Sequence, residues 1–130
     1  MVRILILEDD LARRILFTEH LSGHAVVPVT LASTAIELLE KEEWDWLFLD
    51  HDLGGEIMVP SESNTGYAVA VWLEEHPERK PQHIILHSMN PVGREKMQRA
   101  LPEAIQLPGA WCYTLDELQG PIKPKIPLIG

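Results

Sequence analysis

Two short acidic runs, Glu8-Asp9-Asp10 and Asp50-His51-Asp52, each follow a largely apolar stretch, Val2 to Leu7 in the first case and Trp44 to Leu49 in the second. Brought together they would repel one another: two carboxylates about 4 Å apart repel by roughly 4 kcal/mol at an effective dielectric near 20. A site made from both must therefore hold a cation or keep protons. Hard oxygen donors favour Mg2+, with Mn2+ or Ca2+ as alternatives. Alone, either run reads as solvated surface acid. Their joint position after two strand-like stretches points instead to a shared site.

A third polar run, His87-Ser88-Met89-Asn90, follows the apolar stretch His83 to Leu86. The Ser88 hydroxyl can donate to a phosphate oxygen, and Asn90 can either contact a phosphate or cap the helix that Pro91 begins. His51 and His87 adjoin acidic or hydroxylic residues at strand ends, where an imidazole can give or take a proton near neutrality. A single buried histidine is more often a packing residue, and His20, His24, His76 and His83 are read that way. Trp44, Trp46, Trp72 and Trp111 are read as packing residues too, since no basic residues interleave with them as on a nucleic-acid platform.

The elements that must position these groups follow from hydrophobic periodicity. Strands are expected at Val2–Leu7, Ala25–Val29, Trp44–Leu49, His83–Leu86 and Ala104–Leu107, and helices at Leu11–Leu21, Thr30–Glu43, Thr65–Glu75 and from Asn90-Pro91 to about Leu101. Thr114–Leu118 is a stunted last helix. Gly54–Asn64, broken by glycine and proline, is a long loop, and Thr65 or Asn64 is expected to cap the helix after it. The alternation of strand and helix predicts an α/β fold: a doubly wound, five-stranded parallel sheet with helices on both faces. Sites in such sheets form at the carboxyl ends of the strands, where all three polar runs lie.

With 130 residues the chain has room for one domain. Residues 1–119 are expected to form it, and 120–130, with three prolines, an extended tail. Eleven basic against twenty acidic side chains give a formal charge of −9, which opposes non-specific binding to nucleic acid or to an anionic membrane. No stretch has the length of a membrane span. One cysteine, Cys112, allows no internal disulfide, and a cytoplasmic setting is expected.

With these residues in place, the chain resembles the receiver domains of two-component response regulators, the CheY-like superfamily with a flavodoxin-like sheet, over roughly residues 2–108. Ile4-Leu5-Ile6-Leu7-Glu8-Asp9-Asp10 is similar to their first strand and acidic pair, and Leu47-Phe48-Leu49-Asp50 to the strand that carries their phosphoacceptor. The resemblance implies that Glu8, Asp9 and Asp50 hold Mg2+, that Asp52 adds its backbone carbonyl, that Asp50 is the nucleophile and that Ser88 contacts the phosphoryl group. Two departures matter. Receivers place a lysine before a proline after the fifth strand, whereas Gln106-Leu107-Pro108-Gly109 has Leu107 there. Lys123 and Lys125 are the tail residues that would have to replace it. The second departure is Asp50-His51-Asp52-Leu53-Gly54 with His87-Ser88-Met89-Asn90-Pro91-Val92-Gly93, which resembles a divergent receiver-like branch named for cyclic-phosphate processing.

That branch implies binding or hydrolysis of a cyclic phosphate, on a nucleotide or an RNA end. Asp50, His51, His87 and Ser88 would then be catalytic, Ser88 and Asn90 would hold phosphate, and Glu8, Asp9, Asp50 and Asp52 would hold the metal. Two alternatives stay open at this level. One is a stand-alone receiver phosphorylated on Asp50 by a histidine kinase; the other is an inert receiver-like interaction module.

Overall fold

The computed structural model describes residues 1–53, 64–123 and 125. Strands β1 (Arg3–Leu7), β2 (Ala25–Val29), β3 (Trp46–Leu49), β4 (His83–Leu86) and β5 (Ile105–Gln106) form one parallel sheet in the order β2-β1-β3-β4-β5. Helices α1 (Leu11–His20), α2 (Ala32–Lys41), α3 (Gly66–Glu75), α4 (Pro91–Ala100) and α5 (Leu115–Gln119) cover both faces. This is the doubly wound receiver architecture expected from the sequence. Strand order reverses between β1 and β3, which places a crevice at their carboxyl ends.

Alternation along the strands divides the core in two. Leu5, Leu7, Leu47, Leu49, Ile84 and Leu86 pack under α2, α3 and α4 with Ala35, Leu39, Val69, Leu73 and Met97. Ile4, Ile6, Trp46, Phe48 and Ile85 face the other way, against Phe17 and Leu21 of α1, Leu115 and Leu118 of α5, and Leu107. Both faces being covered explains why β1, β3 and β4 read as nearly continuous apolar runs. Pro28 sits in β2, an edge strand, where its missing N–H breaks no inner ladder.

Local chemistry sets the boundaries. The Asp10 carboxylate accepts from Arg13 N (2.9 Å) and starts α1. Thr114 and Glu117 form a reciprocal capping box that lets a helix as short as α5 persist. Thr65 takes the N-cap position of α3, while the Asn64 side chain instead accepts from Ala32 N (2.8 Å) and closes the start of α2. Gly109 turns the chain at φ 84° into a 3-10 segment, Ala110–Cys112, that the hydrophobic pattern did not predict. A second such segment, Pro77–Arg79, precedes β4. β5 is two residues long rather than the expected four, because only Ile105 and Gln106 pair with β4.

The expected loop at 54–63 and most of the tail beyond residue 123 lie outside the described residues. Among the described residues no helix is long and apolar enough to cross a membrane.

Candidate metal and phosphate site

The sheet register builds the site. The last paired positions of β1, β3 and β4 are Leu7, Leu49 and Leu86, and the next residues are Glu8, Asp50 and His87. Main-chain bonds carry the ladder one step further: Glu8 N donates to Val29 O (2.9 Å), Asp50 N to Leu7 O (3.1 Å) and His87 N to Leu49 O (3.0 Å). Three consecutive strands therefore present three polar side chains side by side. Each is one residue past a position on the α2–α4 face, so each falls on the face of α1 and α5. Leu107 N donates to Leu86 O (2.9 Å), which makes Leu107 the next member of the row. The position where the resemblance called for lysine is thus apolar and buried with Phe17, Phe48 and Tyr113.

Glu8, Asp50 and His87 are all buried, and each offers a ligand atom within 4.8 Å of the other two. Glu8 Oε1 lies 3.0 Å from His87 Nε2 and 3.5 Å from Arg13 Nε, and Glu8 Oε2 accepts from Asp10 N (3.1 Å). Burial alone would raise the Glu8 pKa, but these donors hold it below the ordinary carboxylate value. An ionised Glu8 only accepts, so the His87 proton resides on Nε2. Among the described residues His87 Nδ1 is left buried with no hydrogen-bond partner, a shortfall that costs about 1–3 kcal/mol. The ring is boxed by Phe17 (centroids 5.0 Å apart) and Trp111 (6.1 Å), both edge-on.

Asp50 behaves oppositely. Burial, reinforced by the charge of Glu8 and opposed by His87, Arg13 and a hydrogen bond with Ser88, pushes its carboxyl up to about 6. A second carboxylate beside the first is thus poorly compensated by protein alone, which is the electrostatic signature of a place for a cation. The spacing agrees: donors each about 2.1–2.4 Å from one ion lie no more than about 4.8 Å apart. Two carboxylates and one imidazole suit Mn2+ or Mg2+, and the nitrogen shifts the preference towards Mn2+.

His51 lies elsewhere. It follows Asp50 directly, so its side chain leaves on the opposite face, where Nδ1 lies 2.9 Å from Asp52 Oδ1. Its ring packs against Gly93 in the first turn of α4, close enough that a Cβ there would overlap it. Gly66, at the start of α3, approaches the Asp50 carbonyl as closely. Asn90 serves α4 as N-cap, its Oδ1 accepting from Gly93 N (3.0 Å), and turns Nδ2 to Asp52 Oδ1 (3.3 Å). The buried Ser88 hydroxyl accepts from Asn90 N (3.1 Å) and so joins the two groups, since it also bonds Asp50. Asp9 is half-buried beside Glu8, and its carbonyl accepts from Arg14 Nη1 (2.6 Å). The carboxylates of Asp9 and Asp52 are not among the three converging donors.

The tail does not restore the missing lysine at this site. Lys125 Nζ is bound to Glu117 (2.8 Å) and the Cys112 carbonyl (2.9 Å), and Lys123 is exposed, its carbonyl accepting from Tyr113 Oη. The cation beside Glu8 is Arg13, which sequence reasoning passed over. Its signal was faint: one basic residue in the first turn of a helix. Of the remaining histidines, His83 stacks on Trp46 and His76 on Trp72, as packing residues.

Solved receivers share this fold. The response regulator TrrA from Thermotoga maritima, in complex with Mg2+ and BeF, is 22% identical, with a TM-score of 0.66 over 92% of this chain and 94% of that one. The Mn2+-bound form of response regulator Rcp1 is 16% identical, with a TM-score of 0.64 over 82% and 80%. The phosphorylated cyanobacterial phytochrome response regulator RcpA is 19% identical, with a TM-score of 0.67 over 85% and 83%. No curated protein sequence matches the chain. The family model described as "Cyclic-phosphate processing Receiver domain" matches residues 4–103. With that match over most of its length, and a buried Glu-Asp-His row at its sheet edge, the chain belongs to the cyclic-phosphate processing receiver family.

Proposed function

We propose that this domain binds cyclic phosphate esters of a nucleotide or an RNA end and opens them by hydrolysis with the help of a divalent cation. The observation that carries the reading is the row Glu8–Asp50–His87–Leu107: an imidazole has joined the acids, and the lysine position is apolar. Glu8 and Asp50 would hold the ion, with His87 close enough to complete the donor set. When bound, the ion would neutralise the carboxylates and draw charge from a phosphate oxygen.

The chain's own groups supply the rest. Ring opening consumes one water: its oxygen bonds to phosphorus, one ester P–O bond breaks, and the freed ester oxygen takes a proton. Asp52 accepts from the protonated Nδ1 of His51 and thereby makes Nε2 the basic nitrogen, an arrangement suited to moving that proton. Without an ion the Nε2 proton of His87 is held by Glu8, and the imidazole would release that proton on joining the donor set. Ser88 and Asn90 stand between the two histidines and can orient phosphate oxygens.

Incubation with Mg2+ or Mn2+ and a panel of 2′,3′- and 3′,5′-cyclic nucleotides should yield linear monoesters, with turnover lost in His87→Ala. Neither binding nor turnover across the panel would refute the reading. The hydrogen bond between Ser88 and the buried Asp50 favours a second reading, phosphorylation of Asp50 as in a conventional receiver. A small phosphodonor with Mg2+ would then add one phosphoryl mass to wild type and none to Asp50→Asn.

A further inference from the structure

Three arginines near the site and Lys125 of the tail differ in what already occupies them. Arg14 is spent on the carbonyls of Glu8 (3.2 Å) and Asp9 (2.6 Å), and so fixes the turn after β1. Arg94 is spent on the Ser88 carbonyl (2.7 Å) and on Gln106 (3.1 Å). Lys125 is tied to Glu117 and Cys112. Arg13 differs. Its Nε stands 3.5 Å from Glu8 Oε1 and 3.9 Å from Asp10 Oδ1, and among the described residues its side chain donates no hydrogen bond. The guanidinium lies over the Trp111 ring, 5.0 Å from its centroid, and the side chain is 29% exposed. The planar fork, with the geometry that matches two oxygens of a phosphate, is thus held at the rim of the site with its Nη donors unspent on any described residue.

Arg13 also stands at the oxygen a divalent ion would take, since Glu8 Oε1 faces both His87 Nε2 and Arg13 Nε. Ion and guanidinium compete for the same carboxylate. We propose that Arg13 is the anion receptor of this site. Without an ion it is the counter-charge of Glu8; once an ion occupies the carboxylates, its fork turns to a phosphate oxygen of the bound ester, with Trp111 limiting where the fork can go. A mobile cation on α1 would thereby do for a phosphodiester what Leu107 cannot do from the end of β5. This inference rests on the cyclic-phosphate reading and adds to it a residue that recognises the ligand.

The two roles give effects of opposite sign when the charge is removed. In Arg13→Gln, calorimetry with MgCl2 or MnCl2 alone should show tighter ion binding, by about two- to fivefold, because a competing cation is gone. Binding of 2′,3′-cyclic AMP in saturating Mn2+ should weaken by about tenfold or more, the usual loss for a charged hydrogen bond to a ligand, with Arg13→Lys recovering part of it. Unchanged or weaker ion binding, or cyclic AMP binding equal to wild type, overturns the assignment. A wild type that binds the ion but no cyclic nucleotide refutes the functional reading and this inference together. A wild type that binds it, with a variant that binds equally well, refutes Arg13 alone.

Discussion

Replacing Asp50 with Asn should make the metal-free protein more stable near neutral pH. In the fold the Asp50 carboxyl is pushed up to about 6 from its ordinary value of 3.8, chiefly by burial and by the charge of Glu8. At about 1.4 kcal/mol per pH unit, ionising it in place destabilises the folded state by about 3 kcal/mol. Asn keeps the volume and removes the charge but weakens the hydrogen bond with Ser88, which returns about 1 kcal/mol or more of that gain. A net gain of about 1–2 kcal/mol remains, a rise in Tm of roughly 3–8 °C for a domain of this size. The sign with pH follows from proton counts. Between about pH 4 and 6 the unfolded chain has released the Asp50 proton while the folded chain still holds it, so this group's contribution to stability falls as pH rises through that window. Urea unfolding in EDTA at pH 7.5 and pH 4 tests the reasoning: the variant should exceed wild type at pH 7.5, and the gap should shrink at pH 4. A variant no more stable than wild type at pH 7.5, or a gap independent of pH, would refute it.

Other outcomes follow from the same geometry. Mn2+ should bind more tightly than Mg2+, and His87→Ala should narrow the difference by removing the nitrogen donor, as read by calorimetry with each ion. Gly66→Ala places a Cβ into the Asp50 carbonyl, which is backbone and cannot step aside, so it should cost about 2–4 kcal/mol in chemical denaturation. Tyr113→Phe removes the hydroxyl that bonds the Lys123 carbonyl and the Lys125 N–H, and should speed limited proteolysis of the tail while leaving ion affinity unchanged.

The row of site residues was largely legible because it depends on where apolar runs stop. Glu8, Asp50 and His87 each follow the last apolar residue of a strand, and parallel pairing of neighbouring strands aligns those ends. The separation of His51 from His87 was legible as well, since a residue adjoining Asp50 must leave on the opposite face. Sequence reasoning placed both histidines at one edge without applying that parity. Arg13 was not legible. Its place is set by contact with Trp111, which lies in a 3-10 segment nearly a hundred residues away, and no local pattern announces such a pair. The start of α2 was missed for a related reason. Propensity marked Thr30–Glu43 as helical throughout, whereas the side chain of Asn64, arriving from a distant loop, decides where that helix begins.

The main-chain bonds that extend the ladder past Leu7, Leu49 and Leu86 have a dynamic consequence. The amide protons of Glu8, Asp50 and His87 are each bonded to a neighbouring strand, so those of Asp50 and His87 cannot meet solvent deuterons until the centre of the sheet separates, and that of Glu8 until the edge strand β2 leaves β1. The site has no private opening motion at its base. At its floor Asp50 and His87 should exchange as slowly as the most protected amides of β1 and β3, while the amides of Arg13 and Trp111 at the rim exchange earlier. Ligand entry would then be a matter of side chains turning above a floor that stays closed.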